Sequence, residues 1–118
     1  MKHAYIVDAV RSAGGRRKGR LSDIHAADLG ADVINGLLSR TQIDPNLIDD
    51  VILGCVTQGG EQAFSFARNV ILASQLPDHI PGVTIDRQCG SSQQAIQFAA
   101  QAVMSGTQDM IIAAGVES

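Results

Sequence analysis

The chain has no tryptophan, one tyrosine and three phenylalanines. Its interior therefore rests on Val, Ile, Leu and Ala rather than on aromatic rings. Proline is scarce at three residues, so few positions forbid a helix or a strand outright. No apolar run approaches the ~20 residues that a transmembrane helix requires. The first apolar stretch is interrupted by Asp8, which is too early for a signal-peptide core. Cationic excess is missing too: the formal net charge is −3, which argues against a general binder of nucleic acid or of an anionic membrane surface. These absences lead to the expectation of a cytoplasmic chain with no nucleic-acid or membrane partner. There are only two cysteines, Cys55 and Cys89, in no CxxC pair, so neither a structural disulfide nor a zinc site is expected.

What is present reads as one globular unit of 118 residues, 45% hydrophobic and 18% charged, long enough to enclose a core. Short continuous apolar runs alternate with helical periodicity. Strands are expected at Ala4–Val7, Val51–Val56, Val83–Ile85 and Met110–Ala114. Between them, Ala26, Leu29, Gly30, Val33, Ile34, Leu37 and Leu38 recur at i, i+3, i+4 spacing. Ser22 or Asp23 is suited to cap that helix. A second helix is expected over Ser65–Gln75, stopped by Pro77. A third follows Cys89, with Ala95, Ile96, Ala99, Ala100, Val103 and Met104 on one face and Gly106 as its C-cap. Asp44-Pro45 suits the start of a short helical turn. The order β-α-β-α-β-α-β, with non-alternating strands, predicts a layered α/β fold with a mostly parallel sheet covered by helices.

Cys89 carries the chemistry. It lies in Asp86-Arg87-Gln88-Cys89-Gly90-Ser91-Ser92, where an apolar strand breaks into small polar residues and then a helix. In parallel sheets, sites gather at the carboxyl ends of strands, where helix N-termini point. The positive field of such a terminus favours thiolate, the nucleophilic form. Free first-turn N–H groups can receive an oxyanion. A covalent thioester intermediate suits this arrangement, against the alternative of an inert core thiol.

The other candidates are weaker. His79 precedes the third expected strand while Cys89 follows it, a separation of roughly 15–20 Å along extended chain. His25 lies at the correct sheet end, but a solvated residue at a helix start is the preferred reading. Cys55, among apolar neighbours, reads as core. Arg11, Arg16, Arg17, Lys18 and Arg20 read as a solvated loop, and the glycines near them form neither GxGxxG nor a P-loop. Gln93, Gln94, Gln97 and Gln101 either face solvent or hydrogen-bond within a larger assembly.

Five segments, in order, resemble the N-terminal part of the thiolase family of acetyl-CoA acetyltransferases and 3-ketoacyl-CoA thiolases. They are Asp8-Ala9-Val10-Arg11-Ser12, Ala26-Ala27-Asp28-Leu29-Gly30-Ala31, Asp50 to Gln58, Arg87-Gln88-Cys89-Gly90-Ser91-Ser92 and Ala114-Gly115-Val116-Glu117-Ser118. The resemblance implies that Cys89 is the acylated nucleophile and that its backbone N–H serves the oxyanion. It implies acyl-CoA and coenzyme A as substrates, with no metal or redox cofactor, and a full-length parent that is a homodimer or homotetramer. Residues 1–118 then represent an incomplete N-terminal domain. The activating histidine, a second cysteine and an Asn-Glu-His segment of the family have no counterpart here, so the isolated chain is expected to turn over negligibly. Two other readings stand beside it: a non-catalytic fragment or subunit that needs a partner, and a ketoacyl-synthase-like condensing enzyme.

Overall fold

The computed structural model describes residues 1–118. Helix α1 runs over Ala26–Thr41 and buries Ala26, Ala27, Gly30, Ala31, Ile34 and Leu38. Its N-cap is His25, whose Nδ1 accepts from Ala27 N at 3.1 Å. Glu61 Oε2 accepts from Ala26 N at 3.1 Å. An acid thus meets the positive end of α1 from a distant loop. Ser22, one of the two caps expected, instead donates to Gly19 O at 2.7 Å within a preceding turn. After α1, Asp44 caps a 3-10 turn at Pro45–Leu47 by accepting from Asn46 N, as expected.

Strand β1, Asp50–Gly54, is followed by helix α2, Phe66–Ala73, and strand β2, Gly82–Ile85. Thr84 Oγ1 accepts from Ala67 N at 2.8 Å, so β2 caps the start of the helix that leads into it. Helix α3, Ser91–Ser105, ends on Gly106 at φ 81°, and strand β3 is Ile111–Gly115. Sheet order is β2-β1-β3, all parallel, with Gly54 level with both Ile85 and Gly115.

The connectivity explains the layering. The chain leaves β1 for β2 on one side, then returns past β1 to β3 on the other. Right-handed crossovers in opposite directions put their helices on opposite faces. Val51, Leu53 and Cys55 face the principal core with Phe66, Val70, Ile71, Ile34 and Ile80. Ile52 and Gly54 alternate to the face covered by α3, where Ala95 is fully buried.

The layered, parallel α/β architecture is as expected, with one correction. The strand expected at Ala4–Val7 does not join the sheet. Tyr5, Ile6 and Val7 are 80%, 77% and 82% exposed, and no backbone hydrogen bond ties residues 4–9 to any strand. An apolar run favours extended backbone, but a strand also needs a neighbouring edge in register. This segment is held near its ends: Lys2 N donates to Met104 O at 3.4 Å, Lys2 Nζ pairs with Asp109 at 2.9 Å, and Asp8 pairs with Arg40 at 3.0 Å.

Candidate active site

The loop from β2 into α3 is a tight turn built largely by its own side chains. Asp86 Oδ1 accepts from Gln88 N at 2.8 Å, and Gln88 takes the left-handed region at φ 48°. Gly90 N donates to Arg87 O, and Ser91 N to Gln88 O. Ser91, 6% exposed, ties both limbs: its Oγ accepts from Arg87 N at 2.9 Å and donates to Gln88 O at 2.7 Å. Cys89 is carried at the tip of this turn, exposed and unpaired.

Two glycines set the height of the tip above the sheet. A Cβ on Gly54 would lie 2.5 Å from the Ser91 carbonyl carbon and from Ser92 N. A Cβ on Gly115 would lie 2.5 Å from the Ser92 Cβ. The ends of β1 and β3 therefore carry no side chain where α3 begins, and its first turn rests on bare backbone. This is also where strand order reverses, the place at which parallel sheets open a crevice for ligands. The N–H groups of Cys89, Ser92 and Gln93 make no hydrogen bond. Three N–H donors at the start of α3 thus have no acceptor within the chain.

The second cysteine contrasts with it. Cys55 is 1% exposed, and burial, followed by the nearby Glu117 carboxylate, pushes its thiol up to about 11. That is a core thiol, as its apolar setting predicts. His25 is engaged in the α1 cap, consistent with a residue at a helix start. His79 lies before β2 and Cys89 after it, so the strand separates them. No histidine of the chain is hydrogen-bonded to Cys89. The basic loop from Arg11 to Arg20 is exposed and its cations form no ion pairs, as expected of a solvated loop.

One cluster lay beyond the reach of the sequence pattern. Glu117 accepts from Val56 N at 2.7 Å, Thr57 N at 3.2 Å and Gln62 Nε2 at 3.2 Å. Gln62 Oε1 accepts from Ser118 N at 2.6 Å. Partial burial pushes the Glu117 carboxyl upward, but these donors outweigh it and hold it below the usual range. The clasp joins the loops after β1 and β3 beside the site. Gln62, 3% exposed, sits in a polar stretch of sequence that reads as loop and gives no sign of burial.

A parallel three-strand sheet with a cysteine raised on glycine-paved strand ends at a helix N-terminus is an α/β framework that presents an exposed thiol. A family model described as thiolase, N-terminal domain, matches residues 4–118, and the chain belongs to that family. It is 58% identical over its whole length to a steroid 3-ketoacyl-CoA thiolase of Mycobacterium tuberculosis, covering 29% of that protein. It is 49% identical, over 99% of its length, to a 3-ketoacyl-CoA thiolase of Shewanella baltica, covering 31% of that protein. Among solved structures, the acetyl-CoA acetyltransferase of Bacillus anthracis superposes with a TM-score of 0.78 at 36% identity, over 85% of this chain and 25% of that one. The chain thus spans less than a third of the length of these relatives.

Proposed function

We propose that the chain forms the acyl-accepting part of a thiolase-type acyltransferase, moving an acyl group between coenzyme A thioesters through an acyl-enzyme on Cys89. The observation that carries this reading is the exposed Cys89 thiol at the start of α3 in a chain of the thiolase family. In the degradative direction the Cys89 sulfur attacks the 3-keto carbon of a 3-ketoacyl-CoA. The bond between carbons 2 and 3 breaks, and the departing acetyl-CoA carbanion takes a proton. The acyl group remains on Sγ until the sulfur of free coenzyme A attacks it, forms a new thioester and releases the Cys89 thiolate. Condensation of two acyl-CoA molecules is the reverse. Coenzyme A is a substrate throughout, and neither half-reaction needs a redox carrier. The free Cys89 N–H supports its role as one donor to the oxyanion.

The activating base and the acid that protonates the carbanion come, in this reading, from outside residues 1–118. The commitment of His25 to its cap and the placement of His79 across β2 support this. The 118-residue chain alone then accepts an acyl group slowly and performs negligible thiolysis. The functional assembly is a homodimer or homotetramer of the longer parent, and exposed Tyr5, Ile6, Val7 and Phe64 support further burial by protein.

The test is intact-mass analysis after incubation with acetyl-CoA. The expected result is one acetyl group on the wild-type chain, mapped to Cys89, and none on Cys89→Ser. In the parent enzyme, Cys89→Ser abolishes thiolysis of acetoacetyl-CoA. Equal acetylation of Cys89→Ser, or retained thiolysis, overturns the proposal.

A further inference from the structure

The clasp of Glu117 and Gln62 lies directly beyond the glycines that seat the Cys89 turn. Gly54 and Gly115 stand level on paired strands, and Ser91 and Ser92 rest on them. Val56 N and Thr57 N, just after Gly54, donate to the Glu117 carboxylate, just after Gly115, at 2.7 and 3.2 Å. Between clasp and seats, Val116 N donates to Gly54 O at 3.1 Å. On the other flank of β1, Cys55 N donates to Ile85 O at 3.0 Å, so the ends of all three strands are tied together under the turn. Above them, Ser91 Oγ holds Arg87 N and Gln88 O, and Gln88 O is the carbonyl of the peptide bond to Cys89. Hydrogen bonds and backbone contacts thus run without a break from Glu117 to the peptide that bears the thiol.

Gln62 is the informative member. It is 3% exposed. Its Nε2 donates to Thr57 O at 2.7 Å and to Glu117 Oε1 at 3.2 Å, and its Oε1 accepts from Ser118 N at 2.6 Å. An aliphatic side chain of the same volume would fill this space without desolvating an amide. The amide instead joins the loop after β1 to the loop after β3. A buried polar group whose bonds are all made fixes the relative position of its partners. We propose that Gln62 and Glu117 are positioning residues for acyl transfer, holding the ends of β1 and β3 at the spacing that presents Cys89 Sγ to an acyl group. The inference rests on the acyl-transfer reading of Cys89. Neither residue is assigned contact with the reacting atoms; both act through Gly54, Gly115 and Ser91. A displacement of about 1 Å at a reacting group can cost about a hundredfold in rate, so the clasp bears on the chemical step more than on binding.

The test is steady-state thiolysis of acetoacetyl-CoA by the longer parent, with stability read as the urea midpoint. Gln62→Met keeps the size of the side chain and replaces the amide by apolar burial, so the fold is retained. The expected result is a kcat lowered about tenfold or more, with KM for acetoacetyl-CoA within about twofold of wild type. Glu117→Ala behaves likewise, and Glu117→Gln, which keeps an acceptor for Val56 N, recovers part of the loss. Ile34→Val, which trims the buried face of α1, lowers the urea midpoint and leaves kcat unchanged, as a change confined to stability should. Should Glu117→Ala unfold, Gln62→Met and Glu117→Gln decide the outcome. Wild-type kcat in Gln62→Met, a loss carried by KM alone, or an equal fall of kcat in Ile34→Val overturns the positioning role and leaves acyl transfer intact. Thiolysis that survives Cys89→Ser overturns acyl transfer and the positioning role with it.

Discussion

Gly54 lies under Ser91 so closely that a Cβ on the glycine would come within 2.5 Å of the serine carbonyl carbon. The contact is backbone to backbone, and neither side has a flexible group to move aside. Gly54→Ala must therefore lift the first turn of α3 from the sheet. The expected cost is about 1–3 kcal/mol, as for other overpacked interiors, read as a lowered urea midpoint at unchanged m-value. Alanine at Gly36, where nothing lies within 4 Å, serves as the control and leaves the midpoint unchanged or raises it.

Ser91→Ala removes the hydroxyl that bridges Arg87 N and Gln88 O. The part-buried Arg87 N–H is left without its acceptor, at a cost of about 1 kcal/mol. Because the same hydroxyl shapes the turn that bears Cys89, the variant is expected to alter the alkylation rate of Cys89 under conditions where the fold is intact. A fall in stability with no change at Cys89 would assign Ser91 a packing role alone.

Under native conditions, iodoacetamide is expected to modify Cys89 before Cys55, by about tenfold or more, because Cys55 reacts only when the core opens. Exposure differs sharply between the two thiols. Peptide mapping of partly alkylated protein gives both rates, and equal rates would show that the core around Cys55 opens readily.

Stability is expected to fall at both ends of the pH range for separable reasons. Burial, with Glu117 nearby, raises Cys55 from 9.0 to about 11, so the unfolded chain gives up its proton first. The contribution is complete below pH 9 and is lost as pH rises toward 11. Cys55→Ala removes that part of the alkaline decline. Glu117 behaves oppositely. Despite the upward push of burial, its hydrogen bonds hold it below 4.5. Its contribution is present above the ordinary carboxylate range and is lost as pH falls through the lowered value. Glu117→Gln flattens the acid limb. Urea midpoints of wild type and the two variants across pH 3 to 11 check both signs.

The helices and the parallel sheet were legible because their signals are periodic. The face of α1 and the Gly106 stop of α3 could be read from spacing and from one residue type each. The setting of Cys89 between a strand and a helix was equally legible, since it follows from element order. Residues 4–7 were misread because their apolar character specifies extended backbone, while pairing depends on an edge elsewhere. His25 as the α1 cap was not read because Ser22 and Asp23 are the more usual cap residues. The Glu117–Gln62 clasp and the fit of Gly54 and Gly115 beneath α3 were invisible for a different reason. Each joins residues more than twenty positions apart, and no local pattern records such a meeting.

Gly54 and Gly115 lie level on paired strands although they stand 61 positions apart in sequence. Without that long-range pairing nothing seats the first turn of α3, and the sulfur ahead of it belongs to an ordinary flexible peptide. The raised, exposed position of the thiol is thus a property of the folded sheet as a whole, and an unfolded chain carries the same cysteine without that seat.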